Sequence, residues 1–98
     1  MISSLTDFFA NKRVLLLGFG REGKSSLVVL QKLGSAKTIA VADQNPNIDV
    51  PNGVFSHTGD RHLCEIANYD IILKSPGVPL PSTLWKEYQG RITSQTEL

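Results

Sequence analysis

Hydrophobic and polar positions follow two different spacings along the chain, one typical of strands and the other of helices. Continuous apolar runs at 13–17, 38–42 and 70–74 are typical of parallel strands that are buried on both faces. Between the first two runs, residues 22–33 carry leucine at helical spacing, and Gly34 follows as a residue that ends helices. These four segments already predict strands that alternate with helices.

Shorter segments continue the same alternation. The loop prediction for 44–53 follows from its Asn, Pro, Asp and Gly residues. The remaining elements are predicted as a leading helix over 3–10, an edge strand at 54–56, a helix over 60–68 with Leu63, Ile66 and Ala67 inward, a helix from Pro81 or Ser82 to Tyr88, and a strand at 91–94. We therefore expect an α/β fold, a Rossmann-like open parallel sheet of about five strands flanked by helices, in the order 3-2-1-4-5.

Length and charge exclude several classes of protein. A chain of 98 residues is expected to form a single domain. Ten basic and nine acidic residues give a net charge of +1 without clustering, so no nucleic-acid partner is expected. No apolar run is long enough for a membrane span or a signal peptide, and Cys64 is the only cysteine. These features favour a cytoplasmic protein without a membrane partner.

The strongest motif is the glycine turn between the first strand and the first long helix. Gly18, Gly20 and Gly23 fit G-x-G-x-x-G, in which the glycines permit a tight turn, close approach of phosphate, and close packing of helix on strand. The helix N-terminus then presents N–H groups to a diphosphate. Asp43 ends the second strand, where a carboxylate can accept hydrogen bonds from a ribose or a base. The alternative is a packing turn without a ligand.

The same residues fit a second motif. Gly18, followed by Gly23-Lys24-Ser25, matches the P-loop pattern of nucleotide hydrolases. That pattern does not require Gly20, and such hydrolases need a larger domain. A third possibility is an NAD- or ADP-binding regulatory or dehydrogenase module, in which Asp43 holds an adenosine ribose.

A second site element follows the fourth strand. Ser75-Pro76-Gly77 lies on the carboxyl edge of the predicted sheet, where open parallel sheets bind their ligands. Ser75 offers a hydroxyl and Gly77 an approachable N–H group, whereas the alternative is a turn that only ends the strand. The other polar and aromatic residues are expected in loops, on helix faces or in packing, without a metal site; they are His57, His62, Cys64, Trp85 and Tyr88.

Taken together, these segments resemble the N-terminal domain of the Mur ligases of peptidoglycan synthesis, most closely those that add D-glutamate. The resemblance covers nearly the whole chain. It is carried by 14–25 with the glycine turn, by Asp43, by 70–79 with Ser75-Pro76-Gly77, and by 92–98 with its closing Ser94-x-x-Glu97-Leu98.

The resemblance implies a binding role for this domain. Residues 1–98 would form a single domain that holds the UDP part of UDP-N-acetylmuramoyl-L-alanine, without a cofactor or a catalytic residue of its own. ATP and Mg would belong to a central domain, and the partners would be the ligase's own central and C-terminal domains. The residues implied in substrate binding are Gly18, Gly20 and Gly23 in the turn, Arg21 and Glu22 through their backbone at the diphosphate, Asp43, Gln44 and Asn45 at the uracil, and Ser75, Pro76 and Gly77 at the nucleotide–sugar region.

Overall fold

The computed structural model describes residues 2–94, whose five strands form one sheet in which every neighbouring pair is parallel. The order β3-β2-β1-β4-β5 confirms the predicted fold class and strand order. Residues 95–98, which hold most of the Ser94-x-x-Glu97-Leu98 motif, lie outside the described residues. The strands are β1 Arg13–Leu17, β2 Thr38–Asp43, β3 Phe55–Thr58, β4 Ile71–Lys74 and β5 Ile92–Ser94.

Three α-helices cover the sheet, and all three were predicted. The second of them ends as its sequence indicates, because Gly34 adopts the left-handed conformation (φ 66°) and donates its N–H to the Leu30 carbonyl. This helix has 13 residues, and no helix within residues 2–94 is long and apolar enough to cross a membrane. The helices are α1 Ile2–Phe9, α2 Arg21–Leu33 and α3 Ser82–Tyr88.

Both faces of the sheet are buried, which explains why the central strands are apolar without alternation. One face packs against α1 and α2 through a cluster that includes Phe9, Val14, Leu27 and Leu30. The other face packs under α3 and the segment before β4. The buried residues of this second cluster are Leu15, Leu17, Ala40, Ala42, Ile66, Tyr69 and Ile72.

The helix predicted over 60–68 is wrong. The structure has short 3₁₀ turns at Gly59–Arg61 and Ile66–Asn68, held by bonds between residues three apart, such as His62 N–H to the Gly59 carbonyl. Ile66 is buried and Leu63 is half-buried, but Ala67 is exposed, so the segment has too small an apolar face to hold a longer helix.

Candidate functional site

The order in which successive strands are added to the sheet reverses once, between β1 and β4. Connections from β1 lead outward through β2 and β3, and the later strands β4 and β5 lie on the other side. The carboxyl ends of β1 and β4 therefore border a crevice, the usual ligand position in open parallel sheets. A cavity of about 420 Å³ lies there. Its lining residues are Gly18, Phe19, Gly20, Arg21, Glu22, Asp43, Ser75, Pro76, Gly77 and Val78.

The three predicted site segments thus meet at one cavity, although not every predicted residue lines it. Gly23, Gln44 and Asn45 are outside the lining. Phe19 and Val78 line the cavity without having been predicted. Their apolar side chains carry no chemical signal in the sequence, and only their places beside Gly18 and Gly77 could have indicated them.

The glycine turn is shaped by contacts that exclude side chains at two of its positions. Gly18 has φ +100°, and a Cβ there would lie 2.5 Å from Val78 Cγ2 and 3.0 Å from Ser75 Oγ. A Cβ on Gly23 would collide with the Gly18 carbonyl oxygen. Gly20 differs from both, because a Cβ there would meet no protein atom within 4 Å. Gly20 is also one of the residues that line the cavity.

The amino end of α2 supplies hydrogen-bond donors to this space. Gly20 is the N-cap residue, and its carbonyl accepts the first helical bond from Lys24 N–H at 3.0 Å. The N–H groups of Arg21, Glu22 and Gly23 therefore have no acceptor within the helix, and the N-cap residue Gly20 has no side chain to cap them. Together with the helix dipole, these groups form an environment that favours an anion.

Asp43 lies between two of the loops that meet here. Its Oδ2 accepts the Phe19 N–H at 2.8 Å, and its Oδ1 accepts the Asn45 N–H at 2.9 Å. Asn45 in turn accepts the Asn47 N–H through its side-chain oxygen at 2.9 Å. Asp43 was predicted as a ligand contact; in the structure both of its carboxylate oxygens accept hydrogen bonds from the protein's own backbone.

The Ser75-Pro76-Gly77 segment is fixed to the end of β1. Ser75 N–H donates to the Leu17 carbonyl at 3.0 Å, and Val78 N–H closes a turn onto the Ser75 carbonyl at 3.2 Å. The Lys74 ammonium also donates to the Ser75 carbonyl at 3.1 Å. This turn therefore holds one wall of the cavity in place, while a Cβ on Gly77 would meet no atom within 4 Å.

The P-loop interpretation does not fit the backbone. Because α2 begins at Arg21, Gly23 and Lys24 lie inside the helix, and only three residues (18–20) separate it from β1. A loop this short does not enclose a phosphate in the way a P-loop does. The Lys24 ammonium lies 6.0 Å from the centre of the Phe19 ring.

Of the two histidines, which were predicted in loops or on helix faces, His62 lies in a turn and His57 lies in a strand instead. His57 is in β3, and its Nε2 shares a 2.7 Å hydrogen bond with the Tyr69 hydroxyl. His62 is buried, and its Nδ1 donates to the Gly59 carbonyl at 3.0 Å. Burial, with a smaller effect of Glu65, raises the pKa of the Tyr69 hydroxyl. This shared hydrogen bond joins β3 to the segment before β4, so the two residues stabilise the fold away from the cavity.

Trp85, Cys64 and Tyr88 also contribute nothing to the cavity. Trp85 is 44% exposed on α3, whereas it was expected to pack. Cys64 is exposed in a turn, whereas it was expected in the core or on a helix face. Tyr88 packs against the second cluster as expected. Residues 2–94 contain no group of three or more side chains suited to a metal ion.

Several known proteins are similar to the chain in sequence. A UDP-N-acetylmuramoylalanine–D-glutamate ligase from Ligilactobacillus salivarius is 32% identical over 87 residues, which cover 82% of this chain and 19% of the relative. The ligase of the same name from Streptococcus gordonii is 35% identical over 78 residues, covering 72% and 17%. A UDP-N-acetylmuramoyl-L-alanine–L-glutamate ligase from Salinispora tropica is 32% identical over 74 residues, covering 69% and 16%.

No protein-family model and no solved structure matches the chain. The chain spans less than a fifth of the length of the relatives it matches, so the likeness concerns one domain-sized part of them. The sequence matches agree with the resemblance found in the glycine turn and in the Ser75-Pro76-Gly77 segment. The chain therefore belongs to the Mur ligase family, with its likeness to the UDP-N-acetylmuramoylalanine–D-glutamate ligases consistent with an N-terminal domain.

Proposed function

We propose that this chain binds the UDP part of UDP-N-acetylmuramoyl-L-alanine, within a ligase that adds D-glutamate during peptidoglycan synthesis. The observation that carries the proposal is the cavity at the carboxyl edge, which is lined by Gly20 and by the first residues of α2. The N–H groups of that first turn have no acceptor within the helix, and a Cβ on Gly20 would meet no protein atom. A diphosphate satisfies those donors and needs that space. The names of the relatives supply the class of nucleotide sugar.

The three site segments would take different parts of the ligand. The diphosphate would bind the backbone N–H groups at Arg21 and Glu22 and lie against Gly20. The uridine would lie toward Asp43 and the loop that follows it, where Gln44 and Asn45 are exposed. The sugar would extend along the wall formed by residues 75–77. This arrangement keeps the uncharged parts of the ligand on either side of the helix N-terminus.

The ligation itself belongs to parts of the protein beyond this chain. By its resemblance to Mur ligases, the whole enzyme would use ATP and Mg in a central domain to phosphorylate the substrate carboxylate. The amino acid would then attack the acyl phosphate. Since relatives named for D-glutamate and for L-glutamate both match this chain, the matched part does not distinguish the two amino acids. The residues here would bind one substrate and catalyse no step.

A titration followed by amide NMR tests the proposal on this chain. The ligands are UDP-N-acetylmuramoyl-L-alanine, UDP, NADH and Mg-ATP, each raised to millimolar concentration. We expect the two uridine ligands to shift the amide signals of residues 20–23, Asp43 and residues 75–77. NADH and Mg-ATP should leave them unchanged, and no ATP hydrolysis should follow.

The competing functions give different results in the same titration. Shifts with NADH at the glycine turn, and none with UDP, would favour a dinucleotide-binding module. Magnesium-dependent hydrolysis of ATP by the chain alone would favour the hydrolase. If no ligand shifts the amide signals of the site residues, the result would contradict nucleotide binding by this chain.

A further inference from the structure

The Asp43 carboxylate already has two hydrogen bonds before any ligand is considered. Oδ2 accepts the Phe19 N–H at 2.8 Å and Oδ1 accepts the Asn45 N–H at 2.9 Å. The two donors belong to different loops, one after β1 and the other after β2. Hydrogen bonds of backbone N–H groups to a carboxylate are stronger than those to neutral acceptors. Asp43 therefore joins the two loops through both of its oxygens.

The direction of the Phe19 N–H group is fixed by the burial of the Phe19 side chain and by a hydrogen bond of the preceding residue, Gly18. Its side chain is 6% exposed and belongs to the cluster under α2. The preceding N–H, that of Gly18, donates to the Ala42 carbonyl at 2.7 Å, so two consecutive amides of the turn point toward the end of β2. Gly20, the N-cap residue of α2, follows directly and also lines the cavity.

We infer that Asp43 is a positioning residue for the diphosphate subsite, acting through the Phe19 backbone rather than by touching phosphate. By holding the Phe19 N–H, the carboxylate sets the path of the turn, so that Gly20 and the first N–H groups of α2 face the cavity. The same carboxylate holds the start of the loop assigned to the uridine, so one residue fixes both subsites relative to each other. The inference rests on the proposed function for the identity of the two subsites.

The hydrogen bonds can be tested in the free chain by amide NMR. In Asp43→Asn, an NH₂ group replaces one acceptor oxygen, so Phe19 or Asn45 loses its partner. We expect the affected amide proton to move upfield and to exchange faster with solvent. The control Asp49→Asn changes an exposed carboxylate in the same loop and should leave both signals in place. Unchanged Phe19 and Asn45 signals in Asp43→Asn would overturn the inference.

Inorganic pyrophosphate separates positioning from direct contact, because it has neither a base nor a ribose. We expect Asp43→Ala, which removes both acceptor oxygens, to weaken the binding of both pyrophosphate and UDP by about tenfold, the scale for losing one hydrogen bond to a charged group. Weaker UDP binding with unchanged pyrophosphate binding would overturn the inference, because Asp43 would then act only on the nucleoside. If the unsubstituted chain binds neither ligand, the proposed site itself is wrong and the inference fails with it.

Discussion

Gly18 and Gly23 are packed so closely that a Cβ atom on Gly23 would collide with the Gly18 carbonyl oxygen. The obstacle is backbone, which cannot rotate away as a flexible side chain can. Gly18 is itself confined by its φ of +100° and by Val78. The contact brings the first turn of α2 against the end of β1, and it is the close helix–strand packing that the third glycine of the motif predicts.

Replacing Gly23 by Ala is therefore expected to destabilise the fold. The added methyl group must displace the turn or the helix, and overpacking of this kind costs about 1–3 kcal/mol of the free energy of unfolding. Urea unfolding followed by circular dichroism measures the difference. Gly90→Ala is the matched control, since a Cβ there meets no atom within 4 Å. Equal stabilities for the two variants would contradict the tight contact.

Gly20→Val should separate binding from folding. A Cβ at Gly20 meets no protein atom, so the fold should persist, with a loss of about 1 kcal/mol because Val is a poor N-cap residue. The side chain would occupy the space proposed for phosphate, so UDP should no longer shift the amides of residues 21–23. Gly90 lies before the start of β5, at the amino ends of the strands and not at their carboxyl ends, so Gly90→Val should bind UDP as the unsubstituted chain does. Retained UDP binding in Gly20→Val would argue against a diphosphate at this turn.

The central sheet could be predicted because strands buried on both faces leave an unambiguous pattern. The central parts of β1, β2 and β4, at 14–17, 39–42 and 71–73, are apolar without interruption, and Gly34 ends α2 as its residue type indicates. The prediction of a helix over 60–68 was wrong because this segment is held by local hydrogen bonds between residues three apart, and such bonds leave no periodic pattern in the sequence.

The site was predictable in outline for a related reason. Parallel strands bring their carboxyl ends to one edge, so the segments at Gly18, Asp43 and Ser75 had to lie near each other. The partners of the Asp43 oxygens were not predictable. The backbone N–H groups from which a carboxylate accepts hydrogen bonds depend on the conformations of two loops, and those conformations cannot be deduced from the residue types alone.

Arg21 is expected to assist binding through charge. Arg21 is exposed and is one of the residues that line the cavity, and its side chain makes no ion pair within residues 2–94. Arg21→Gln should lower the affinity for UDP by about twofold to fivefold at low ionic strength. The difference should be smaller at high salt, because exposed charges are screened. Lys32→Gln removes the same charge at the other end of α2 and serves as the control. A loss of affinity independent of salt would point to a specific contact instead.

The His57–Tyr69 hydrogen bond should contribute measurably to stability. Tyr69 precedes β4, yet its hydroxyl reaches β3, so its ring spans the face of the strands between them. A double-mutant cycle with Tyr69→Phe and His57→Ala should give a coupling of about 0.5–1.5 kcal/mol, the net value of one hydrogen bond. Additive effects would show that the two residues act independently.

Asp70 should make stability depend on pH at the acidic end. Its carboxylate accepts the Arg13 backbone N–H at 2.9 Å and pairs with the Arg13 Nε at 3.3 Å, joining the starts of β4 and β1. The backbone hydrogen bond and then the side-chain bond of Arg13 lower the pKa of Asp70. A carboxyl with a lowered folded pKa stabilises the fold fully above its unfolded pKa, about 4, and loses that effect as pH falls through the folded value.

The corresponding experiment compares the unsubstituted chain with Asp70→Asn from pH 7 down to pH 2. At pH 7 the variant should be less stable, because its neutral amide no longer pairs with the Arg13 guanidinium. The difference should shrink below about pH 4, since the native carboxyl then takes up a proton and also becomes neutral. Asp49→Asn, which changes an exposed loop carboxylate, is the control for acid effects elsewhere in the chain. A stability difference that stays constant across this range would show that Asp70 acts through its shape and not through its charge.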